Sequence, residues 1–201
     1  MTAKILTGYT GTRHIGPLDD AAVYRSIIGQ DCYIVNEGNL CAGTMPSINE
    51  FNVASGQLSI QGVQARVTAE TLSVDTCATG YKRIDLVVAS WTHDAGTLID
   101  DVTLKVLKGS EVQSGNTPIV PTYNSGDIDS GATAVDFPLY QINLSGGTVT
   151  FEQLADVLPV SIDELSEGLL NLDTSAPSGT TDGDLYAAIV ALGWDSDVIE
   201  S

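Results

Sequence analysis

From about Cys32 to Val149 the chain alternates apolar and polar positions in short runs, punctuated by Gly, Asn, Ser and Pro. A period of two places successive side chains on opposite faces of an extended segment, so each run reads as a strand with one face to bury. The runs predict strands at Cys32–Val35, Leu40–Ala42, Glu50–Ala54, Gln57–Ile60, Ala65–Val67, Thr71–Val74, Ile84–Trp91, Asp101–Leu107, Ala134–Asn143 and Thr148–Phe151. Many short strands separated by turn residues imply a mainly β fold, an antiparallel β-sandwich or barrel. Ser55-Gly56 and the Ser-Gly-Gly run at 145–147 are hairpin candidates. The stretch Gly109–Gly131 contains Pro118 and Pro121 and is rich in Ser, Gly, Asn and Asp, which reads as an ordered surface excursion.

The pattern turns helical at both ends. In GPLDDAAVYRSIIG, Pro17 suits a first turn, Asp19 and Asp20 complement the positive helix end, and Ala22, Tyr24, Ile27 and Ile28 offer an apolar face before Gly29. Beyond Val149, Thr150 with Gln153 and Ser161 with Glu164 form two capping-box patterns separated by Pro159, and DGDLYAAIVALGW reads as a third short helix ended by Gly193. The expected organisation is a β-rich domain over residues 1–150 with a short N-terminal helix, followed by a small acidic helical appendage over residues 151–201. That appendage is too small to fold alone, so Leu158, Leu165, Leu169, Leu170 and Leu172 need the β domain or another subunit to bury against.

Charge narrows the classes of function. A chain of 201 residues with 43% hydrophobic residues builds a core without staples, while its net charge of −18 disfavours nucleic acid, whose backbone needs clustered cations. Lys108 is the last basic residue, so everything after it repels polyanions and anionic membrane surfaces. No apolar run is long enough to insert in a membrane, and MTAKILTGYTGTRH lacks a signal-peptide core. Cys32, Cys41 and Cys77 are odd in number and lack CxxC spacing, which points to buried thiols in a protein assembled in a reducing cytoplasm.

Catalytic material is sparse. His14 precedes the helix and His93 falls in THDAG, both reading as solvated loop residues. The adjacent acids Asp100 and Asp101 point to opposite faces of a strand and make a poor acid/base couple. DIDSGATAVD, from Asp127 to Asp136, departs from the calcium-loop template in the place of its glycine and in lacking the closing Glu. Asp182 and Asp184 are explained by helix-end electrostatics. The reading is a non-enzyme without cofactor or metal.

Two adjacent cations open the most strand-like run, GYKRIDLVVASW. Arg83 and Asp85 are two apart, project from the same face and can pair, so that Lys82 and Arg83 would organise a strand edge. The ordered series GPLDDAAVYRSIIG, CYIVNEGNLCAG, NVASGQLSIQGVQARV, GYKRIDLVVASW, VTLKVLKGSE, PIVPTY and DFPLYQINLSGGTV, covering roughly residues 8–150, resembles a family of tail and baseplate proteins of phages and prophages of Gram-positive bacteria. The family pattern runs through N-x-L, x-QG, G-x-KR-x-DL, V-x-KG and PLY-x-x-x-L, and Lys82, Arg83 and Asp85 match its KR-x-D.

The resemblance implies a non-enzymatic virion structural protein of the tail tip or baseplate that connects the tail to a receptor-binding component. It would self-associate, with a trimer as one arrangement, and contact other tail and baseplate proteins. Lys82, Arg83, Asp85, Leu158, Leu165 and Leu169 are then the structural and interface candidates. The acidity after Lys108 and the short helical end depart from fibre-bearing members and point to a shortened connector. The alternative is a carbohydrate-binding β-sandwich, a host-surface glycan adhesin, with Tyr81, Trp91, Tyr123 or Tyr140 stacking on sugar rings.

Overall fold

Pro17, whose ring presets a helical φ and which has no amide hydrogen to leave unpaired, opens α1 (Pro17–Ile28). The Asp19 carboxylate reaches back to the Gly16 amide at 2.8 Å, and Gly29, at φ 111°, ends the helix where a side chain would be strained. The computed structural model describes residues 16–158. Within them the expected helix is present, but its expected apolar face is corrected: Ala21 is the buried residue, while Tyr24 and Ile27 are 45% and 65% exposed. The small Ala21 lets the helix backbone lie directly on a turn, where a Cβ on Gly62 would meet its carbonyl oxygen at 2.2 Å, while Tyr24 and Ile27 point outward.

Three antiparallel sheets follow. One small sheet is ordered β1 (Cys32–Gly38), β4 (Gly56–Ile60), β5 (Val63–Val67). A second is ordered β2 (Gly43–Ser47), β3 (Glu50–Val53), β6 (Glu70–Ser73). The large sheet runs β11 (Thr148–Gln153), β10 (Ala134–Ser145), β7 (Tyr81–Asp94), β8 (Ile99–Leu107), with β9 (Val112–Gln113) also pairing with β7. One apolar cluster joins all three, drawing Ile34, Leu58 and Ile60 from the first, Phe51, Val53 and Leu72 from the second, and Val87, Trp91, Leu139, Ile142 and Leu144 from the large sheet. The architecture is sandwich-like, with no closed barrel among the described residues.

The strands predicted from the two-residue period are present with shifted ends, save one. Leu40–Ala42 is a loop, because Leu40 and Cys41 sit at φ 55° and 50°, outside extended geometry. The Ser55-Gly56 hairpin is also corrected: β3 pairs with β2 and β6 while β4 pairs with β1 and β5, so this dipeptide carries the chain from one sheet to another. Ser55 accepts the amides of Asn39 and Cys41, and a side chain at Gly56 would meet the Cys41 amide at 2.6 Å, so a close crossing requires the glycine. Gly146-Gly147 does close the β10–β11 hairpin, with Ser145 opposite Thr148.

β7 reads as nearly continuous apolar sequence because it is buried on both faces. Val87, Ala89 and Trp91 face the common core, and Leu86, Val88 and Ser90 are buried on the other side. β10 on one side and β8 and β9 on the other make it a central strand, so the expectation that Lys82 and Arg83 organise a strand edge is corrected. The β unit also runs past residue 150. Thr150–Gln153 belongs to β11 in place of the expected helix start, Ala155 enters the core, and Val157 bridges Ile34 in parallel. The predicted helices at Ser161–Glu164 and DGDLYAAIVALGW lie outside the described residues.

Candidate functional site

Arg83 and Asp85 share one face of β7, as the two-residue spacing requires, and both are fully buried. The guanidinium grips Asp85 through two parallel bonds, Nε to Oδ1 at 2.8 Å and an Nη to Oδ2 at 2.9 Å. Its remaining hydrogens go to the Thr76 carbonyl at 3.3 Å, the Glu111 carboxylate at 2.9 Å and the Asp75 carbonyl at 2.6 Å. Every N–H of the side chain thus has an acceptor. Burial works against the Arg83 charge, but the Asp85 and Glu111 carboxylates outweigh it and hold the guanidinium above its ordinary value. Asp85 Oδ1 also takes the Gly109 amide at 2.9 Å. The cluster therefore ties together β7, the segment leading out of β6, and the β8–β9 connection.

The other motif residues prove to be joints of the same kind. A Cβ on Gly109 would lie 2.0 Å from the Ile84 carbonyl oxygen, so only glycine lets the backbone come near enough to donate to Asp85. Gln61 and Gly62, both at positive φ, form the β4–β5 turn on which α1 rests, and a Cβ on Gly62 would lie 2.2 Å from the Ala21 carbonyl oxygen. The Gln61 side chain donates to the Gly126 carbonyl and accepts the Ile128 amide, both at 2.8 Å, clamping the long excursion to this turn. In β10, the register shifts between Pro138 and Tyr140, and the Tyr140 hydroxyl donates to the Cys41 carbonyl at 2.9 Å.

On the outer face of the large sheet, Asp136 lies 2.9 Å from Lys105, which also donates to the Ser90 hydroxyl at 2.9 Å. The second Asp136 oxygen takes the Asn124 amide and side-chain NH₂, both at 3.0 Å. Burial pushes the Asp136 carboxyl up, yet the Asn124 amide, Lys105 and Ser90 together hold it below the ordinary aspartate value. The excursion after Gly109 thus returns across this face as a strap fastened at Asn124 and by a bridge from Ser125 to Val135. Between strap and sheet lies a groove of about 410 Å³ walled by Leu107, Lys108, Val112, Ile119 and Val120.

Among the described residues the reactive side chains do not converge, and His14, Asp182 and Asp184 lie outside them. His93 belongs to β7 and not to the solvated turn expected for it; its ring stacks on Trp91 and its Nδ1 lies 2.7 Å from Asp100, which sits opposite it on β8. Thr92 and Asp94 flank it and, by strand alternation, face the other side of the sheet. Burial pushes the Cys32 and Cys41 thiols up to about 11, which leaves them protonated at neutral pH. Asp127 is occupied by the Asp129 amide and the Ser130 hydroxyl, and among the described residues no group of three or more His, Cys, Asp or Glu side chains is placed to hold a metal ion. Trp91 and Tyr140 are 1% exposed and stand in the core, which removes them as sugar-stacking platforms; Tyr81 and Tyr123 are at the surface.

Of the residues singled out from sequence, Arg83 and Asp85 meet in one cluster. Lys82 is half-buried on the opposite face of β7, between Val112 and Ser145. Leu158 is half-buried where its amide bonds the Ile34 carbonyl, and Leu165 and Leu169 lie outside the described residues. Glu111, Lys105 with Asp136, and His93 with Asp100 were missed, because their partners are distant in sequence or across a strand pair whose register the sequence does not state. Comparison of the chain with protein-family models and with curated proteins finds no match.

Proposed function

We propose that this chain is a non-enzymatic structural protein of a phage or prophage tail tip or baseplate, one that joins the tail to a receptor-binding component and works in the virion after assembly in the bacterial cytoplasm. The supporting observation is that the residues carrying the family resemblance are internal joints. Gln61-Gly62, Arg83 with Asp85, Gly109 and Tyr140 each fasten one segment of chain to another. A protein that transmits load or holds a fixed geometry needs its segments tied in this way, whereas an enzyme directs comparable polar groups toward a cleft. Self-association and contacts with other tail and baseplate proteins belong to the same reading.

Induction of a lysogen carrying the gene, purification of the particles and peptide mass spectrometry should find this chain in intact virions, with antibody label at one end of the tail. Particles that are complete and infective without it overturn the role. A glycan array should show no specific binding that Tyr81→Ala or Tyr123→Ala removes.

A further inference from the structure

Leu98 and Ile99 stand side by side at the tip of the β7–β8 hairpin, 74% and 62% exposed. Leu98 is at φ 58°, a left-handed conformation that costs a leucine and suits glycine or asparagine. The other non-glycine residues at positive φ among the described residues serve the interior: Leu40 packs against the core, Cys41 lies in it, and Gln61 holds Gly126 and Ile128. The outward Leu98 side chain does not. Strain kept for such a side chain points to a use outside the molecule. Acids surround this apolar tip: Asp94 turns its carboxylate to the Gly96 and Thr97 amides, and Asp100 and Asp101 follow at the start of β8.

The groove under the strap is its counterpart. It measures about 410 Å³, Ile119 and Val120 are 77% and 42% exposed on its wall, and Lys108 is the charged residue of its lining. Glu111, nearby in the chain, is held by Arg83. Asp75 takes one hydrogen of the Lys108 ammonium, which leaves the others for an arriving carboxylate. Three smaller concavities, of about 170, 180 and 270 Å³, have Glu37 or Glu70 in the wall and would repel an acid-ringed tip. A chain cannot fill its own groove: Leu107, on the groove wall, pairs with Leu86, and the tip lies beyond Asp94, roughly 25 Å further along β7.

We propose that copies of this chain associate head to tail, with the Leu98–Ile99 tip of one seated in the Lys108 groove of the next. This deepens the self-association in the proposed role and rests on it. Tip and groove are different surfaces, so the contact is heterologous and repeats from copy to copy, as a ring or as a stack. Two copies of net charge −18 repel as wholes, so the attraction has to be local. Here it is local twice over, with apolar side chains entering an apolar groove and acids arriving beside a lysine.

Sedimentation equilibrium of the full chain tests the contact. The parent should associate as concentration rises. Leu98→Gly removes the side chain where glycine suits the backbone, so the thermal midpoint should hold or rise while association weakens roughly tenfold or more. Ile119→Asp, at an exposed position of the wall, should do the same to association. Lys108→Glu should also weaken it, whereas Lys108→Arg should not. A mixture of Leu98→Gly and Ile119→Asp chains, each keeping the half that the other lacks, should form one-to-one dimers and nothing larger. A strict monomer, association indifferent to Leu98→Gly, or a mixture that fails to pair overturns the contact and leaves the virion role standing. Absence from virions overturns the role and leaves a measured contact standing.

Discussion

The large sheet holds two buried acids on its opposite faces, and they are compensated differently. Asp85 and Arg83 are enclosed, with side-chain exposures of 1% and 0%, and the pair is complete: both carboxylate oxygens and all guanidinium hydrogens are bonded. Asp136 is equally enclosed at 2%, but its partner Lys105 is 39% exposed, and one Asp136 oxygen is held by charge contact at 2.9 Å without an aligned hydrogen bond. A sealed pair has to satisfy every lone pair and proton internally, because water cannot reach it. A half-open pair leaves part of that work to solvent. The first is therefore a joint on which the fold depends, and the second a fastening that can open while the sheet persists.

The comparison is sharpest under substitution of the cations. Arg83→Met leaves Asp85 charged in the interior and should cost about 3–5 kcal/mol in urea unfolding. Arg83→Lys should recover little, since one ammonium cannot replace a bidentate fork with three further donors. The double variant Arg83→Met, Asp85→Leu should recover only part of the loss, because it removes the uncompensated charge but leaves the Gly109 amide and the Asp75 and Thr76 carbonyls without their partners. Lys105→Met on the other face should cost about 1 kcal/mol. Equal losses for Arg83→Met and Lys105→Met would erase the distinction. Next in size is Gly109→Ala: its Cβ would sit 2.0 Å from the Ile84 carbonyl oxygen, so the chain must part and Asp85 loses an amide donor. The expected loss is about 2–3 kcal/mol, and the same change at Gly115, where a Cβ meets nothing within 4 Å, should be near neutral.

The same contrast explains what could be read from sequence. Arg83 and Asp85 were legible because strand period alone puts residues two apart on one face, and the hairpin at Gly146-Gly147 because its turn is local. Lys105 and Asp136 stand 31 positions apart in the numbering, on strands that flank β7 without touching, and no local pattern records that. Ser55-Gly56 has the composition of a hairpin turn but serves as a crossing between sheets, since tertiary packing of Cys41 against Gly56 decides its path. Thr150 with Gln153 has the spacing of a helix cap, yet β10 offers a full ladder of partners to that segment, and the ladder wins.

The smallest expected effect concerns the strap, and it is a pH effect with a defined sign. Asp136 is held below the ordinary aspartate value in the folded chain, so its contribution is present above an unfolded value of about 3.9 and is lost as pH falls toward the folded one. Protonation cancels the attraction to Lys105 and weakens the acceptor for both Asn124 donors. Asp75, Asp94 and Asp127 are also held low by their partners, so acid destabilisation of the whole protein cannot single out this site. The Asn124 amide can, because it donates to Asp136 itself. Its protection factor should drop between about pH 6 and about pH 3 while amides in the centre of β7 keep theirs. Asp136→Asn retains an oxygen for the Asn124 amide but carries no charge, and should give a lower, pH-independent protection at a cost of about 1 kcal/mol. If Asn124 protection stays flat in the parent, the strap is fastened by the Ser125 to Val135 bridge and not by the Asp136 carboxylate.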